Sequence, residues 1–233
     1  MRSRFIRFRY ITSLCALLML LLAACSGDTK SGPNAKDLIS KAQAAMQKVT
    51  SYHFTLTAEN PGTAGLLAIQ SADGDVLVPD KLKANANAFM LGSLVQVKIV
   101  SIGEKQYYTD PVTQEWNATN GLLDPRTLTD PQTGLVAILG HIEDPGTPTD
   151  DTVNGTACWS IKGKLDAKYL ASITGGGVPS GTKVNVTTWI GKNDNLLYQL
   201  RINGKAVQGD SDKTVRTFKL SKFGEQLDIQ PPV

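Results

Sequence analysis

Short runs in which apolar and polar residues alternate recur along most of the chain after residue 50, and they constrain its fold more than any other feature. Segments 54–58, 95–99, 157–162 and 196–202 show this period of two. The pattern is typical of β-strands that bury one face. Turn residues separate consecutive runs by short distances, which favours hairpins and antiparallel pairing.

Other segments are predicted from apolar content and turn residues together. The further predicted strands span 66–70, 75–79, 184–190 and 214–223. The dipeptide Asp73-Gly74 is placed between the first two of these as a hairpin turn, because Asp-Gly is a preferred turn sequence. Segment 144–151 holds two prolines and a glycine and is predicted to be a loop.

Helical spacing of apolar residues first appears after Asn34. This asparagine can cap a helix, and Asp37 lies in the predicted first turn, where an acidic residue is favourable. The predicted apolar face of the helix consists of Leu38, Ile39, Ala42, Ala45, Met46 and Val49.

Shorter helices are predicted in the middle of the chain. Asp-Pro pairs at 124–125 and 130–131 each place a capping residue before a proline, which is a common helix start. A third short helix is predicted over 166–173. The stripe of the central helix consists of Leu135, Ile138, Leu139 and Ile142.

These elements predict an α+β fold. Its main feature is a long antiparallel sheet with one polar and one apolar face, and the few helices cover the apolar face. A sheet with this many strands curls or splits into two. A curled sheet closed by helices encloses an apolar interior, and the pattern leaves open whether that interior is a packed core or a cavity.

The N-terminus has the pattern of an export signal for a bacterial lipoprotein. Four arginines precede an uncharged, mostly apolar stretch that ends in Leu22-Ala23-Ala24-Cys25. The predicted organisation is a signal peptide over 1–24, a flexible tether over 25–33 and a folded domain over 34–233. Cys25 is the predicted lipidation site, which places the chain at the extracytoplasmic face of the cell membrane. The alternative is an N-terminal anchor that is not cleaved, which would also place the folded domain on the extracytoplasmic side of the membrane.

Charge and cysteine content narrow the function classes. The chain has 24 basic and 21 acidic residues, but four arginines and no acid precede Cys25, so the mature part has 20 basic against 21 acidic residues. A net charge of −1 gives no support for nucleic-acid binding, which requires a basic surface. Only Cys158 remains as a free thiol, and we interpret it as a buried structural residue.

Catalytic patterns are weak in this chain, and we expect no enzyme activity, cofactor or metal. The two histidines, His53 and His141, have no partner at metal-ligand spacing. No Gly-x-Ser-x-Gly sequence is present, so a hydrolase lacks its usual nucleophile turn. The glycines at 175–177 are not followed by a Lys-Ser/Thr pair, which excludes a P-loop.

The order of elements resembles a known family. After the lipobox and polar tether, the helix leads into Val49-Thr50-Ser51-Tyr52-His53-Phe54. The hairpin at 110–116 and the pattern over 150–159 follow in the same order as in the LppX/LprA/LprF/LprG lipoproteins of mycobacteria and relatives. The resemblance spans nearly the whole predicted mature chain.

That resemblance implies a half-open, curved antiparallel sheet with helices across its concave side, similar to the LolA/LolB lipoprotein carriers. It also implies a deep apolar cavity that holds acyl chains of envelope lipids, and it supplies no catalytic residues. The implied function is to bind and transfer an acyl lipid or glycolipid, with the membrane and an envelope lipid transporter as partners. The alternative is a surface lipoprotein that binds a protein or senses the envelope.

Apolar residues on the predicted helices and strands are the candidates for lining such a cavity. Filling a core is the ordinary use of these residues, and both readings stay open. The candidates are Leu38, Met46, Phe54, Leu56, Val95, Val97, Ile99, Leu135, Ile138, Leu139, Tyr198 and Leu200.

Overall fold

One antiparallel β-sheet is the basis of the computed structural model of this chain. The structure describes residues 32–62, 68–90, 92–119, 126–130, 132, 134–171, 178 and 180–232. Pro33–Val233 forms a compact unit. The predicted signal peptide and nearly all of the predicted tether lie outside the described residues.

Eleven strands form the sheet in the described part of the chain. Along the sheet their order is β6-β5-β4-β3-β2-β1-β11-β10-β9-β8-β7, and every neighbouring pair is antiparallel. The strands are β1 (Ser51–Glu59), β2 (Ala68–Leu77), β3 (Lys81–Met90), β4 (Ser93–Ile102), β5 (Lys105–Thr109), β6 (Trp116–Thr119), β7 (Thr149–Val153), β8 (Thr156–Asp166), β9 (Lys183–Gly191), β10 (Leu197–Asn203) and β11 (Val215–Ser221).

The sheet is joined in the middle by the first and last strands. β1 pairs with β11, so the meander β1–β6 and the meander β7–β11 become one surface. Strands β6 and β7 are the two edges and do not pair with each other, so the sheet is not closed. This is the half-open curved sheet of the α+β prediction, which is confirmed.

The helices are few and short in the described residues. They are α1 (Ala35–Met46), α2 (Arg126–Thr129), α3 (Leu135–Gly140) and a 3₁₀ turn over Ala167–Leu170. Asn34 caps α1 as predicted, because its side-chain oxygen accepts the N–H groups of Lys36 and Asp37 at 2.9 and 3.2 Å. No helix among the described residues is both long and apolar enough to cross a bilayer.

The helices cover the inner face of the sheet. α1 packs against α3, and the Gln43 side chain donates to the carbonyl of Val136 at 3.4 Å. Leu38, Ile39, Ala42 and Met46 on α1 are buried in the same cluster as Leu135, Ile138 and Leu139 of α3 and the inward side chains of seven strands. The core therefore lies between the two helices and the sheet.

The sequence predictions differ from the structure in three places. The strands predicted over 66–70 and 75–79 are one strand, β2 (Ala68–Leu77), and Asp73-Gly74 lies in its middle rather than in a turn. Residues 66 and 67 lie outside the described residues. β3 was not predicted at all, since its sequence KLKANANAFM is rich in alanine and asparagine, which disfavour strands. The predicted loop over 144–151 ends early, because β7 begins at Thr149.

The third helix prediction is only partly correct. Asp166 caps the element as expected, but the residues that follow form a 3₁₀ turn over Ala167–Leu170. Residues 172–177, which include the end of the predicted helix and the glycine run, lie outside the described residues. The helix starts predicted at 124–125 and 130–131 precede α2 and α3, although 124, 125 and 131 are themselves outside the described residues.

Candidate functional site

Large apolar side chains fill one half of the inner face. On β8–β11 and β1 the inward residues form one contiguous buried cluster with α1 and α3, and the cluster extends onto β2 and β3 through Val76, Leu82 and Ala84. Its large members on the sheet include Tyr52, Phe54, Ile161, Leu165, Ile190, Leu197, Leu200, Ile202, Phe218 and Leu220. This half of the interior is a conventional close-packed core.

Small side chains line the other half of the inner face. Ala72 and Gly74 on β2 pair with Ala86 and Ala84 on β3, and Ala88 follows two residues further along β3. Ala84, Ala86 and Ala88 are buried, the last completely. Alanine and glycine contribute little side-chain volume to this part of the inner face.

On β4, the strand next to β3, the inward residues are larger than alanine. Ala84 pairs with Ile99 and Ala86 with Val97, so the next inward row is β-branched. Ala86, Ala88 and Val97 are buried, yet none of the three belongs to the contiguous cluster formed by the other half. We define this surface, formed by Ala72, Gly74, Ala84, Ala86, Ala88, Val97 and Ile99, as the small-residue face.

Gly74 makes the small-residue face possible at its centre. A Cβ on this residue would lie 2.5 Å from the Lys83 carbonyl oxygen and 2.7 Å from the Ala84 Cβ. The close approach of β2 and β3 therefore depends on the missing side chain.

The structure brings most of the sequence-derived candidates together. Leu38, Met46, Phe54, Leu135, Ile138, Leu139 and Leu200 all lie in the contiguous cluster, and Leu56 and Ile99 pack against it while partly buried. Val97 is buried on the small-residue face, and Val95, two residues before it on β4, is partly exposed. The two valines and Ile99 therefore stand on the surface that borders the alanine row.

Tyr198 lies apart from this cluster. The register of β10 against β9 shifts between Leu197 and Gln199, and Tyr198 falls at this irregularity. Its ring packs edge-on against Phe223 at a centroid distance of 5.4 Å, and its hydroxyl donates to Asp194 at 2.8 Å. Burial, followed by the interaction with Asp194, raises the pKa of the Tyr198 phenol.

An open pocket of about 440 Å³ surrounds Tyr198. Turn residues on one side and the end of β11 on the other form its walls. The lining residues are Asn154, Thr156, Asp194, Leu196, Tyr198, Leu220, Ser221, Lys222 and Phe223. Polar and charged side chains contribute more than half of these residues, so the pocket lacks the apolar lining that an acyl chain requires.

A buried ion pair joins the loop before β11 to Arg216 on that strand. The Asp210 carboxylate accepts from the Arg216 guanidinium and from the backbone N–H groups of Gly62, Ala206 and Val207. Burial opposes ionisation most strongly, but the hydrogen bonds and the charge of Arg216 together hold the pKa of Asp210 below its ordinary value.

One buried hydroxyl has no partner among the described residues. Thr188 points inward on β9, pairs with Ile161 and Leu200 on the two neighbouring strands and is completely buried. Its Oγ1 makes no hydrogen bond within the described part of the chain. Such a group costs stability, because its hydration is lost without replacement.

Groups that could act in catalysis are engaged elsewhere. His53 stands on the outer face with Nδ1 2.8 Å from Asp75 and Nε2 3.1 Å from Asp73. His141 stacks on Tyr169 with ring centroids 3.7 Å apart. Among the described residues, no group of three or more histidine, cysteine or acidic side chains is placed to hold a metal ion.

Cys158 is completely buried, and its burial raises the pKa of the thiol. A thiol that stays protonated is a poor nucleophile.

The order of strands, the helical cover and the length of the domain match one protein family. A family model described as LppX_LprAFG lipoprotein matches residues 34–229. The chain belongs to the LppX/LprAFG lipoprotein family.

Curated relatives extend over almost the whole chain. The lipoarabinomannan carrier protein LprG of Mycobacterium tuberculosis H37Rv is 27% identical over 234 residues, which cover 96% of this chain and 94% of that protein. LprG of Mycolicibacterium smegmatis is 25% identical, covering 95% of this chain and 96% of that protein. Lipoprotein LprA of Mycobacterium tuberculosis is 24% identical, covering 91% and 86%.

Two solved structures of the same family share the fold. LprF from Mycobacterium bovis superimposes with a TM-score of 0.69 at 21% identity, covering 87% of this chain and 98% of that chain. LppX from Mycobacterium tuberculosis gives a TM-score of 0.62 at 19% identity, covering 84% and 98%.

For this LppX/LprAFG member, sequence reasoning missed the part of the interior with small side chains. The alanines of β3 alternate strictly with Lys83, Asn85 and Asn87, which is the period of a strand. That alternation was a usable signal, but alanine is a weak marker of burial and the strand was not recognised. The inward alanines were therefore absent from the predicted interior.

Proposed function

We propose that this LppX/LprAFG member is a membrane-tethered carrier that binds an acyl lipid of the cell envelope against the small-residue face and passes it on. The observation that carries the proposal is the inward row Ala72, Gly74, Ala84, Ala86 and Ala88, which is buried except for the half-buried Ala72 and contributes almost no side-chain volume. An acyl chain needs an apolar wall and few hydrogen-bonding groups.

The comparisons support a lipid ligand. The LprG relatives, which align over nearly the full length, are named lipoarabinomannan carriers, so an envelope lipid or lipoglycan is the class of cargo that we propose. Transfer needs no cofactor or nucleotide, because an acyl chain moves between two apolar environments and the difference in burial sets the direction.

Anchoring at Cys25 is the second part of the proposal. The segment Leu22-Ala23-Ala24-Cys25 has the pattern of a lipobox, and a diacylglycerol on this cysteine would hold the carrier at the extracytoplasmic face. We expect labelled palmitate to be incorporated into the wild-type chain but not into Cys25→Ala. A Cys25→Ala chain that still carries the label would refute this site.

A non-transporting role in binding proteins is the alternative, and the described surface gives it little support. Two large apolar side chains are strongly exposed in the described residues: Leu94 at 57% and Val112 at 88%. They stand on different strand connections, the first at the start of β4 and the second between β5 and β6. Scattered exposed apolar residues of this kind are normal on a soluble surface.

A transfer assay with two neighbouring substitutions tests the carrier proposal. Ala86 faces inward and Asn85 faces outward on the same strand, so Ala86→Trp places an indole on the small-residue face while Asn85→Trp places it on the opposite face. Movement of a fluorescent acyl lipid between donor and acceptor vesicles is measured for wild type and both variants. We expect Ala86→Trp to lose most of the wild-type rate and Asn85→Trp to retain it.

Equal loss in both variants, or no loss in either while both remain folded by circular dichroism, would refute the use of the small-residue face. Failure of the wild-type protein to accelerate transfer at all would refute the carrier function.

A further inference from the structure

The outer face of the sheet carries a polar recess between β9 and β10. Its volume is about 240 Å³, and it is lined by Asn185, Thr187, Arg201 and Asn203. The four residues form two directly paired rows, since Thr187 lies opposite Arg201 and Asn185 lies opposite Asn203. Their neighbours in sequence, Val186 and Ile202, point inward into the core, so the recess opens on the side of the sheet away from the small-residue face.

The four side chains that line the recess have no hydrogen-bonding or ion-pair partner among the described residues. Together they offer the five N–H donors of a guanidinium, two amide groups and a hydroxyl. These donors are open to solvent and free to bind an acceptor from outside the protein.

Three more cations surround the recess. Lys162 pairs with Thr187, and Lys164 pairs with Asn185, both from β8. Lys219 on β11 stands two residues beyond Thr217, the partner of Arg201. With strands about 4.8 Å apart, Lys162 and Arg201 lie about 10 Å from each other across β9. All three lysines are exposed, and none forms an ion pair among the described residues.

Carboxylates in this region have other partners, among them Asp151, which accepts from the indole N–H of Trp189 on β9 at 2.7 Å. Glu143 joins the backbone of Lys164 through an isolated bridge, but its carboxylate accepts from Lys183 at 2.6 Å. Asp166 at the end of β8 is buried and accepts the backbone N–H of Gly181 at 3.2 Å. A local positive charge therefore remains on a mature chain whose net charge is near zero.

We propose that this recess is a binding site for a phosphate ester. A phosphate presents several acceptor oxygens at once, and the planar guanidinium of Arg201 can donate to two of them in parallel. The amides of Asn185 and Asn203 and the hydroxyl of Thr187 can donate to the remaining oxygens. Lys162 and Lys164 then add attraction at longer range, which salt weakens.

The phosphate ester has two possible sources, and one set of measurements distinguishes them. The full chain, labelled with ¹⁵N, is reconstituted in phosphatidylcholine nanodiscs, and the side-chain amide signals of Asn185 and Asn203 are followed. Inorganic phosphate and glycerol 3-phosphate are titrated separately, with sodium chloride at equal ionic strength as the reference. A second sample contains phosphatidylglycerol discs and no added phosphate.

The proposal expects saturable shifts of both amide signals with phosphate and glycerol 3-phosphate, well beyond those caused by sodium chloride. Shifts that also appear in phosphatidylglycerol discs identify a lipid headgroup as the source, and shifts that appear only with the soluble esters identify a free phosphate ester. Shifts no larger than those in sodium chloride, with no change in phosphatidylglycerol discs, would overturn the site.

Variants separate recognition by the recess from general charge attraction. Arg201→Gln should weaken the apparent affinity about tenfold, the loss expected when a charge-assisted hydrogen-bonding group is removed. Arg201→Lys should recover only part of that loss, because an ammonium cannot form the paired bonds. Lys105→Gln, an exposed lysine on β5, is the matched control and should change the affinity less than about twofold. Equal weakening by Arg201→Gln and Lys105→Gln would reduce the effect to net charge and refute the site.

Discussion

Gly74 lies on the inner face opposite Ala84, where β2 and β3 leave no space for a side chain. Gly74→Ala places a methyl group against backbone, which cannot yield as a flexible side chain can. We expect this substitution to lower the free energy of unfolding by about 3 kcal/mol, the upper range for overpacking. Urea unfolding followed by tryptophan fluorescence measures the change.

Gly146→Ala is the control for Gly74. Its Cβ would find its nearest neighbour, the Lys162 carbonyl oxygen, at an ordinary 3.6 Å. We expect a change within about 0.5 kcal/mol. If Gly74→Ala is as mild as this control, then the close approach of the two strands does not depend on the glycine.

Asp210 gives the protein an acid-sensitive contact. In the folded state the pKa of Asp210 is below its ordinary value of about 3.9. The ionised carboxylate therefore stabilises the folded state fully at pH values above the ordinary pKa. This contribution to the free energy of unfolding is lost as the pH falls through the lower pKa of the folded state. Asp210→Asn should therefore remove part of the loss of stability below about pH 4. It should also lower stability at pH 7 by about 3 kcal/mol, because Arg216 is left buried without its partner.

Urea unfolding at a series of pH values from 7 down to 2 measures both effects. Asp212→Asn in the same loop is the control, since its carboxylate is exposed and pairs with Lys205 only at 3.7 Å. A pH profile of Asp210→Asn that parallels wild type would contradict the assignment of this sensitivity to Asp210.

We expect the substitution Thr188→Val to stabilise the protein. The Thr188 hydroxyl is buried and unpaired within the described residues, so Thr188→Val replaces a polar atom by a methyl group of similar size. We expect the free energy of unfolding to rise by about 1 kcal/mol. Thr57→Val, on an exposed position of β1, should change it by less than about 0.5 kcal/mol. A loss of stability in Thr188→Val would mean that the hydroxyl is hydrogen-bonded after all.

At the scale of elements, α1 depends on its cap. Asn34 accepts two backbone N–H groups that have no partner within the helix, so Asn34→Ala should destabilise the protein by about 1 kcal/mol. Hydrogen exchange of the α1 amides should accelerate in this variant. Asn85→Ala, on the exposed side of β3, should leave the exchange of α1 unchanged. Equal exchange in wild type and Asn34→Ala would show that packing alone fixes the helix start.

Elements with large apolar residues could be predicted from the sequence. α1 shows its stripe and cap, so its existence and buried face follow from local pattern. The alternation in β8 and β10 predicts the two strands, but at the start of β8 it is Cys158 and Ser160 that are buried and not Ala157. β3 could not be recognised in the same way, because its inward residues are alanines and its outward residues are asparagine and lysine. Its strand state is set by pairing with β2 and β4, which is information from distant parts of the chain.

Only the part of the candidate site that is built from large apolar residues could be predicted from the sequence. Local periodicity identified the packed half of the interior, including Leu38, Ile138 and Leu200. It could not predict the irregularity in β10 at Tyr198, whose side chain lines the open pocket beside Asp194 and Phe223. It also could not pair Arg201 with Thr187, because the outer recess exists only once β9 and β10 are side by side.

At the scale of the whole molecule, the two faces of the sheet differ in chemistry. The inner face is apolar, and its side chains differ in size along the sheet. Large residues pack together on β8–β11, and alanines are frequent on β2 and β3. The outer face is polar and, over β8–β11, positively charged. A carrier of an amphiphilic lipid would use the first face for the acyl chain and leave the second in contact with the aqueous envelope or a membrane surface.

Native mass spectrometry of the mature chain, purified from a lipid-containing host, tests the central claim most directly. We expect a population whose mass exceeds that of the protein with its anchor by one acyl lipid. We also expect Ala86→Trp to lose this population and Asn85→Trp to keep it. A wild-type protein found only at its own mass, together with an experimental structure in which side chains fill the space over the small-residue face, would contradict it.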